Sequence, residues 1–319
     1  MKKKLTLDPV IKQMLDEYHP ERTQQVQDYL DHPEKLTVFM DFKVDYAFKY
    51  ILGHKPVLMK LLNDTLPVKV SDIEYLSNAI PVISPKEKRA VFDVVCTARD
   101  TGEQFIAEMQ CIPDLDMDNR LLYYGCSLIH SRVERGDKTY QLQPVYVLCV
   151  ANYERDHAGT QDKGQFFFGY QLREQIHPKD VFTKNLQFFF LELPRLKKVW
   201  DSLENNLERW CYLFGNLNTF AKIPDNPSGF DDVFDLARTG ELKGKELEKY
   251  VATMLNEYEK YVYGEYARQE GLKEGEAKGE AKQQAKIAKA MLADKMAPEV
   301  VAKYTGLTTE EIEALRQQN

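Results

Sequence analysis

Residues 90–110 read AVFDVVCTARDTGEQFIAEMQ, and this stretch decides the fold. Its two ends, residues 90–98 and 105–110, are short runs rich in β-branched and aromatic residues, which is the pattern of β-strands. Asp100 and Gly102, which lie between the two runs, are typical of a tight turn. The stretch therefore predicts an antiparallel hairpin, and the rest of a sheet is expected to form around it.

The predicted hairpin carries two carboxylates. Asp93 interrupts an otherwise apolar strand, and Glu108 shares a face with Gln110 near the end of the next strand, because side chains alternate. A carboxylate in such a strand costs free energy unless it is exposed at a cleft, paired or bound to a metal. If Asp93 faces Glu108, a divalent cation relieves their repulsion, and hard oxygen ligands suit Mg²⁺ or Mn²⁺. The alternative is two solvated positions on a half-exposed sheet.

The segments around the hairpin predict an α/β fold. Residues 144–151 form a nearly continuous apolar run, which indicates a strand covered on both faces. Further strands are predicted over residues 70–76, 166–172 and 186–193, and helices over residues 8–31, 44–52, 57–66 and 117–134. This order indicates a mixed sheet with helices packed on it.

The chain after residue 196 is predicted to be helical. Residues 200–214 and 242–263 have the spacing of amphipathic helices. Residues 271–282 read GLKEGEAKGEAK and have too few apolar side chains to pack alone. A charged helix and a flexible linker both remain open here, because each glycine lowers helix stability by about 1 kcal/mol relative to alanine.

Residues 285–319 predict a small helical tail. Helices are expected over residues 285–296 and 298–304, Gly306 fits a helix C-cap, and residues 308–311 fit a capping box that opens a last helix. The tail has the proportions of a helix-turn-helix, but its last helix begins with acidic residues, where a recognition helix would meet phosphates. Partner binding or oligomerisation, including a homodimer through the C-terminal helices, is therefore favoured over DNA reading.

The overall composition limits the classes of protein. Lys and Arg number 43 against 50 Asp and Glu, a net charge of −7, so a nucleic-acid substrate would need a local basic patch or metal ions. The five cysteines form no CxxC pair, which argues against a disulfide framework or a zinc ribbon and favours reduced thiols in a cytoplasm. No signal peptide or membrane span is predicted.

Further polar residues flank the hairpin. Asp45 lies early on the helix that precedes the sheet. Arg120, Tyr123 and Tyr124 are spaced to share one face of the helix after the hairpin. An arginine with phenolic hydroxyls beside a metal site can hold a phosphodiester.

Taken in order, these motifs resemble a known family, the PD-(D/E)XK nuclease family transposases, or recombination-promoting nuclease (Rpn) group. The resemblance covers about residues 40–195, and Thr305-Gly306-Leu307 resembles C-termini common in that group. The residues that carry the resemblance are Lys43, Asp45, Phe48, Lys49 and Gly53 (KxDxxFKxxxG), Phe92-Asp93-Val94, Glu108-Met109-Gln110, Arg120 with Tyr123 and Tyr124 (RxxYY), Gly136 with Tyr140, and Pro144-Val145.

The resemblance implies a restriction-endonuclease-like core and a set of roles. Asp93 and Glu108 would bind the metal with the Met109 carbonyl as a third ligand, and Asp45 matches the acid of the first helix. The residues implied for substrate binding are Arg120, Tyr123, Tyr124, Lys43 and Lys49. Gln110 stands where the superfamily usually has the lysine that positions and activates water. Because glutamine carries no charge, a nearby lysine among Lys43, Lys49 and Lys88 is the candidate substitute.

The resemblance also implies a function and an organisation. We expect a Mg²⁺- or Mn²⁺-dependent endonuclease that hydrolyses phosphodiester bonds of DNA and is linked to recombination or mobile elements. The alternative is a catalytically silent DNA-binding or assembly protein that retains the fold. The expected parts are an N-terminal helical segment (1–40), the nuclease core (41–195), a helical region (196–263), a charged helix or linker (264–284) and a small helical tail (285–319).

Overall fold

A computed structural model describes residues 20–79, 90–114, 116–131, 141–157, 162, 164–294 and 296–317. The first part of the helix predicted over residues 8–31, and also Lys88, Gly136 and Tyr140, lie outside the described residues. By its internal contacts the chain divides into two compact units, Met1–Tyr258 and Glu259–Asn319. The five-part organisation expected from the sequence stays a prediction.

The first unit is built on one mixed, six-stranded sheet, as predicted. Its order is β1-β2-β3-β4-β6-β5, with β3, β4 and β6 mutually parallel and the other neighbours antiparallel. The strands are β1 (Ile73–Tyr75), β2 (Val94–Ala98), β3 (Gln104–Gln110), β4 (Val145–Ala151), β5 (Phe167–Arg173) and β6 (Val181–Glu192). Parallel pairing of β3 and β4 needs a crossover connection, and the helix after the hairpin lies within it.

Nine α-helices are described, and short 3₁₀ turns lie between some of them. The helices are α1 (Pro20–Asp31), α2 (Asp45–Leu52), α3 (Lys55–Thr65), α4 (Met117–His130), α5 (Asn206–Asn216), α6 (Asp231–Leu236), α7 (Lys245–Ala293), α8 (Pro298–Thr305) and α9 (Thr309–Gln317). The backbone of residues 271–282 is helical within α7, so of the two predictions for this segment, a charged helix or a flexible linker, the structure shows the helix. Within the described part of the chain, no helix is long and apolar enough to span a membrane.

The predicted hairpin is confirmed, but its first strand is shorter than predicted. Val94 lies opposite Ala107 in an antiparallel ladder, and Gly102 adopts the positive φ of 76° that the turn needs. The strand begins at Val94 rather than Ala90, and Asp93 lies at a bend before it. The ladder stops before Asp93 because two backbone N–H groups bond to side chains and not to the opposite backbone. The Asp93 N–H donates to Glu108, and the Met109 N–H donates to Asp93.

Apolar side chains cover both faces of the sheet. On one face, Phe105 and Ala107 belong to a large core that includes side chains of α2, α3 and α5. In this core the ring centres of Phe48 on α2 and Phe214 on α5 are 5.9 Å apart. On the other face Ile106 packs in a second core with Leu121 of α4. All seven residues of β4 are buried, as the apolar run predicted. This alternation turns Glu108 toward α4.

In the second unit, the end of α7 and the short helices α8 and α9 surround a small core. Ala288, Val301 and Ile312 are its fully buried apolar residues. Gly306 caps α8 in the left-handed conformation, with φ of 73°. Thr308 and Glu311 form the predicted capping box, because each side chain accepts a hydrogen bond from the other's backbone N–H.

Close packing of α4 on the sheet depends on Gly125. A Cβ atom at this position would lie 2.6 Å from Leu186 Cδ1. We expect Gly125→Val to lower the free energy of unfolding by about 1–3 kcal/mol, because overpacking displaces buried neighbours. Urea unfolding measures the change, with Gly240→Val as control, since a Cβ there meets nothing within 4 Å. An unfolding midpoint of Gly125→Val equal to that of the control would contradict the packing described for α4.

Candidate active site

Asp93 and Glu108 meet where the ladder between β2 and β3 ends. The Asp93 backbone N–H donates to Glu108 Oε1 at 3.0 Å, and the Met109 N–H donates to Asp93 Oδ2 at 3.0 Å. Each carboxylate thus replaces a backbone acceptor on the facing strand. The structure therefore brings together the two carboxylates that the sequence placed on neighbouring strands.

Both carboxylates are withdrawn from water. Glu108 is 5% exposed, and the side chain of Asp93 is 19% exposed. Burial, and secondarily the negative charge of Asp93, raise the pKa of Glu108 to about 8. Burial also raises the pKa of Asp93, against the opposing effects of the Met109 N–H and of Lys49. At neutral pH Glu108 therefore carries a proton, which a cation at this place would displace.

Lys49 supplies a positive charge next to the pair. Its Nζ lies 2.6 Å from Asp45 Oδ1 and 3.3 Å from Asp93 Oδ1, so it bridges the first turn of α2 and the hairpin. Burial lowers the pKa of Lys49, but the hydrogen bond and charge of Asp45, together with Asp93, outweigh that effect and raise it. Asp45 is linked to Asp93 through this ammonium, and its charge also acts on Asp93 directly.

Gln110 and Arg120 are bound to each other rather than to open solvent. An Arg120 guanidinium nitrogen donates to Gln110 Oε1 at 2.6 Å, and the same side chain pairs with Asp114 at 3.0 Å. Gln110 Nε2 donates to the Ile112 carbonyl at 2.8 Å. The Nε of Arg120 is buried without a hydrogen-bond partner in the structure. Any role of Gln110 toward water would require one of its two hydrogen bonds to exchange.

Of the remaining predicted residues, Tyr124 packs within the fold, Tyr123 is exposed, and Lys43 pairs with groups other than Asp93. The Tyr124 ring packs edge-on against Phe92 at 5.1 Å, and burial, followed by the charge of Glu108, raises its pKa. Tyr123 is 41% exposed. The ammonium of Lys43 contacts the Gly215 carbonyl and Asp41, so of the two described candidate lysines it is Lys49 that reaches Asp93.

The set of donors fits a hard divalent cation held by few side chains. Within the described ranges, no group of three or more His, Cys, Asp and Glu side chains gathers as a metal site. Mg²⁺ is commonly bound through one or two carboxylates and keeps water or substrate phosphate as its other ligands. Asp93 and Glu108 match that pattern, and the backbone of Met109 lies beside them.

Sequence reasoning missed two residues that hold this site in place. Asn78 accepts the N–H of Phe92 at 2.7 Å and donates to the carbonyl of Asp93 at 2.9 Å. Asp114 fixes the guanidinium of Arg120. Asn78 stands far from the motifs in sequence, so no spacing pointed to it. The distance of six residues between Asp114 and Arg120 was available as a signal, since a loop acid before a helix often pairs with it.

With this geometry in hand, the chain was compared with known proteins. The family described as PD-(D/E)XK nuclease family transposase matches residues 42–267. The chain belongs to this family. The mixed sheet with flanking helices agrees with the restriction-endonuclease-like fold expected of a PD-(D/E)XK nuclease. Comparisons with curated proteins and with solved structures found no match.

A second family match covers the helical tail. Residues 281–317 match the family described as Rpn/YhgA-like nuclease family, C-terminal HTH domain. This match agrees with the helix-turn-helix proportions of the tail, and the preference for partner binding over DNA reading stays a prediction. The small core and the left-handed C-cap also fit a helix-turn-helix. The pairing of a PD-(D/E)XK nuclease with this domain agrees with the predicted Rpn family.

Replacing the buried carboxyl of Glu108 should change how stability depends on pH. Because the pKa is raised from 4.5 to about 8, this group ionises only in the unfolded chain between these values. The free energy of unfolding of the wild type therefore falls as pH rises through this window and levels off above it. Glu108→Gln should keep only the smaller fall that the raised pKa of Asp93 contributes, and should exceed the wild type at pH 8 by on the order of a few kcal/mol.

Urea unfolding at several pH values with EDTA present measures this difference. Glu74→Gln, which removes an exposed carboxylate on β1, is the matched control and should follow the wild type. Parallel curves for Glu108→Gln and the wild type would show that Glu108 does not ionise late in the folded protein.

Proposed function

We propose that this chain is a divalent-metal-dependent endonuclease that hydrolyses phosphodiester bonds of DNA. The observation that carries the proposal is the reciprocal hydrogen bonding of Asp93 and Glu108 at the end of the hairpin. Two buried carboxylates that face each other are costly without a cation between them. Membership of a nuclease family supplies the class of reaction.

Asp93, Glu108 and the Met109 carbonyl would hold a Mg²⁺ or Mn²⁺ ion. When bound, such an ion lowers the pKa of water and draws charge from a phosphate oxygen. Loss of the proton from Glu108 accompanies binding, because its pKa of about 8 leaves it protonated at neutral pH. Asp93 carries the second negative charge, and the Met109 N–H holds its Oδ2 in place.

Lys49 takes the part of the lysine that is absent at Gln110. Its ammonium lies 3.3 Å from Asp93 Oδ1 and belongs to a helix rather than to β3. From that position it offers charge to the phosphate and orients the attacking water. Asp45 holds the ammonium in the site through its 2.6 Å contact.

Arg120, Tyr123 and Tyr124 would contact the phosphodiester from α4. Arg120 bonds to Gln110 and to Asp114. If its guanidinium released Asp114 and bound a phosphate instead, Arg120 would connect the substrate to Gln110. The helix-turn-helix tail is proposed as a second DNA contact, which compensates for the net acidity of the chain. We place the activity in the cytoplasm, in recombination or the movement of mobile elements, with a homodimer through the C-terminal helices as the working assembly.

One observation favours the catalytically silent alternative. Both polar groups of the Gln110 amide are bonded within the protein, to Arg120 and to the Ile112 carbonyl. A silent DNA-binding protein with this fold would keep such bonds and would bind no metal. Calorimetric titration with Mn²⁺ separates the two functions, because the nuclease binds the ion and the silent protein does not.

Removing either carboxylate should abolish DNA cleavage without unfolding the protein. We expect Asp93→Asn and Glu108→Gln each to lower the rate of Mg²⁺-dependent nicking of supercoiled plasmid by about 10²–10³-fold or more, because each loses a negative charge that holds the cation. Glu74→Gln, an equal change of charge on an exposed side chain, should nick at the wild-type rate. Nicking by purified Asp93→Asn at the wild-type rate would remove the assignment.

Lys49 should matter to the rate of cleavage more than to the binding of DNA. We expect Lys49→Met to lower kcat about 10²-fold, with a smaller change in KM, because its charge acts beside the reacting phosphate. Lys55→Met is the control, since Lys55 forms a similar ion pair with Asp72. Single-turnover cleavage measures both variants, and equal rate constants would show that Lys49 only neutralises Asp93.

A further inference from the structure

A second polar cluster lies at the same edge of the sheet as the acid pair. The parallel strands β3, β4 and β6 end there at Gln110, Ala151 and Glu192, which are aligned across the sheet. Neighbouring strands are about 4.8 Å apart, so β6 lies about 10 Å from β3. In open α/β sheets, ligands bind outside the carboxyl ends of such strands.

Glu192 fixes the backbone of this cluster. Its carboxylate is fully buried and pairs with His157 at 2.6 Å and with Arg195. The backbone N–H of Arg155 donates to the same carboxylate at 3.1 Å, and the Arg155 carbonyl accepts from Arg195 at 2.8 Å. Arg155 is therefore held in one position by buried partners.

From this anchored position the Arg155 side chain reaches α4. Its guanidinium lies 3.8 Å from the centre of the Phe190 ring and donates to both oxygens of Asp118 at 2.7 Å. Asp118 stands two residues before Arg120, which bonds to Gln110. One helix end thus joins this cluster to the candidate active site.

A cavity of about 240 Å³ opens between these side chains. Its walls are apolar, formed by Leu121, Leu122, Phe188 and Phe190. Arg155, Asp118 and the Tyr170 hydroxyl supply donors and acceptors at its mouth. The volume falls below the range of about 300–1,000 Å³ that drug-sized ligands occupy, which suits a single flat ring system.

We propose that this cavity binds an unstacked base of the DNA strand, within about three nucleotides of the cleaved phosphate. The distance of about 10 Å between β3 and β6 corresponds to about three base steps of 3.4 Å. The Phe188 and Tyr170 rings and the Arg155 guanidinium offer the flat surfaces on which bases stack. This inference rests on the proposed function for the identity of the strand, and it adds where a neighbouring base is held.

The charge at the mouth selects the kind of base. Asp118 is 68% exposed and pairs with Arg155, so the mouth has no net positive charge to attract a phosphate, and the carboxylate oxygens can accept from a hydrogen-bond donor. Adenine, cytosine and guanine carry an exocyclic amine, whereas the donor of thymine is its ring N3–H, which lies between two carbonyl oxygens that a carboxylate repels. The cavity should therefore prefer bases with an amine over thymine, with Asp118 as the residue that decides.

The test compares binding of oligo(dC) and oligo(dT) to full-length Asp93→Asn protein, which binds without cleaving. We expect oligo(dC) to bind about tenfold more tightly, the effect of one charge-assisted hydrogen bond. Asp118→Ala should remove this preference. Tyr170→Ala and Leu122→Trp should weaken both oligonucleotides about five- to 150-fold, because stacking is lost or the cavity is filled.

Leu172→Ala is the matched control, since Leu172 is an exposed apolar residue of β5 that does not line the cavity. Equal affinity for the two oligonucleotides, or affinities unchanged in Tyr170→Ala and Leu122→Trp, would overturn the proposal. A changed oligomeric state of Leu122→Trp without a change in oligonucleotide affinity would overturn it too, and would assign the cavity to an interface between copies.

A plasmid-cleavage assay of the wild type with Mg²⁺ tests the proposed function separately from the proposed base-binding cavity. Cavity-dependent binding of oligo(dC) without any cleavage would sustain the cavity and refute the nuclease. Cleavage without a cavity-dependent preference would sustain the nuclease and refute the cavity.

Discussion

The arrangement of the site depends on two carboxylates that are buried facing each other across a hairpin. Each has lost water, and their charges repel, so the ionised pair is unfavourable as it stands. The protein offsets part of this cost with two backbone N–H groups and with the ammonium of Lys49. The remainder appears as the raised pKa of Glu108, so a cation that bound there would have to displace a proton.

The rest of the first unit can be understood as support for this pair. β3 is central in the sheet and packed on both faces, which restricts the movement of Glu108. α2 carries Lys49 and Asp45 to one side of the site, and α4 carries Arg120 and Tyr124 to the other. The buried carboxyl of Glu108 lowers the stability of the fold, and functional sites commonly have this cost.

Local patterns in the sequence were sufficient for much of this. Alternation along residues 105–110 predicted which side chains face the core and which carry chemistry, and the Asp–Gly turn predicted the hairpin. The apolar run that became β4 predicted a strand buried on both faces. These features depend on residues that are close together along the chain, so a single sequence is enough to predict them.

What could not be predicted depends on contacts between distant segments. The start of β2 at Val94 follows from bonds that Asp93 makes to β3 and to Asn78. The choice of Lys49 over Lys43 follows from how α2 packs, since Lys43 lies two residues before Asp45 and Lys49 four residues after it, and this spacing alone does not say which lysine reaches Asp93. Glu192 gave no signal at all, because an acid at a strand end is ordinarily solvated.

The most direct test is the anomalous diffraction of crystals grown with Mn²⁺. The account predicts one strong peak between Asp93 and Glu108, about 2.1 Å from a carboxylate oxygen of each, as hard divalent cations require. It also predicts that the peak disappears in Glu108→Gln crystals. A map without a peak at this place, with Lys49 still paired to Asp93, would contradict the claim that these carboxylates exist to share a metal ion.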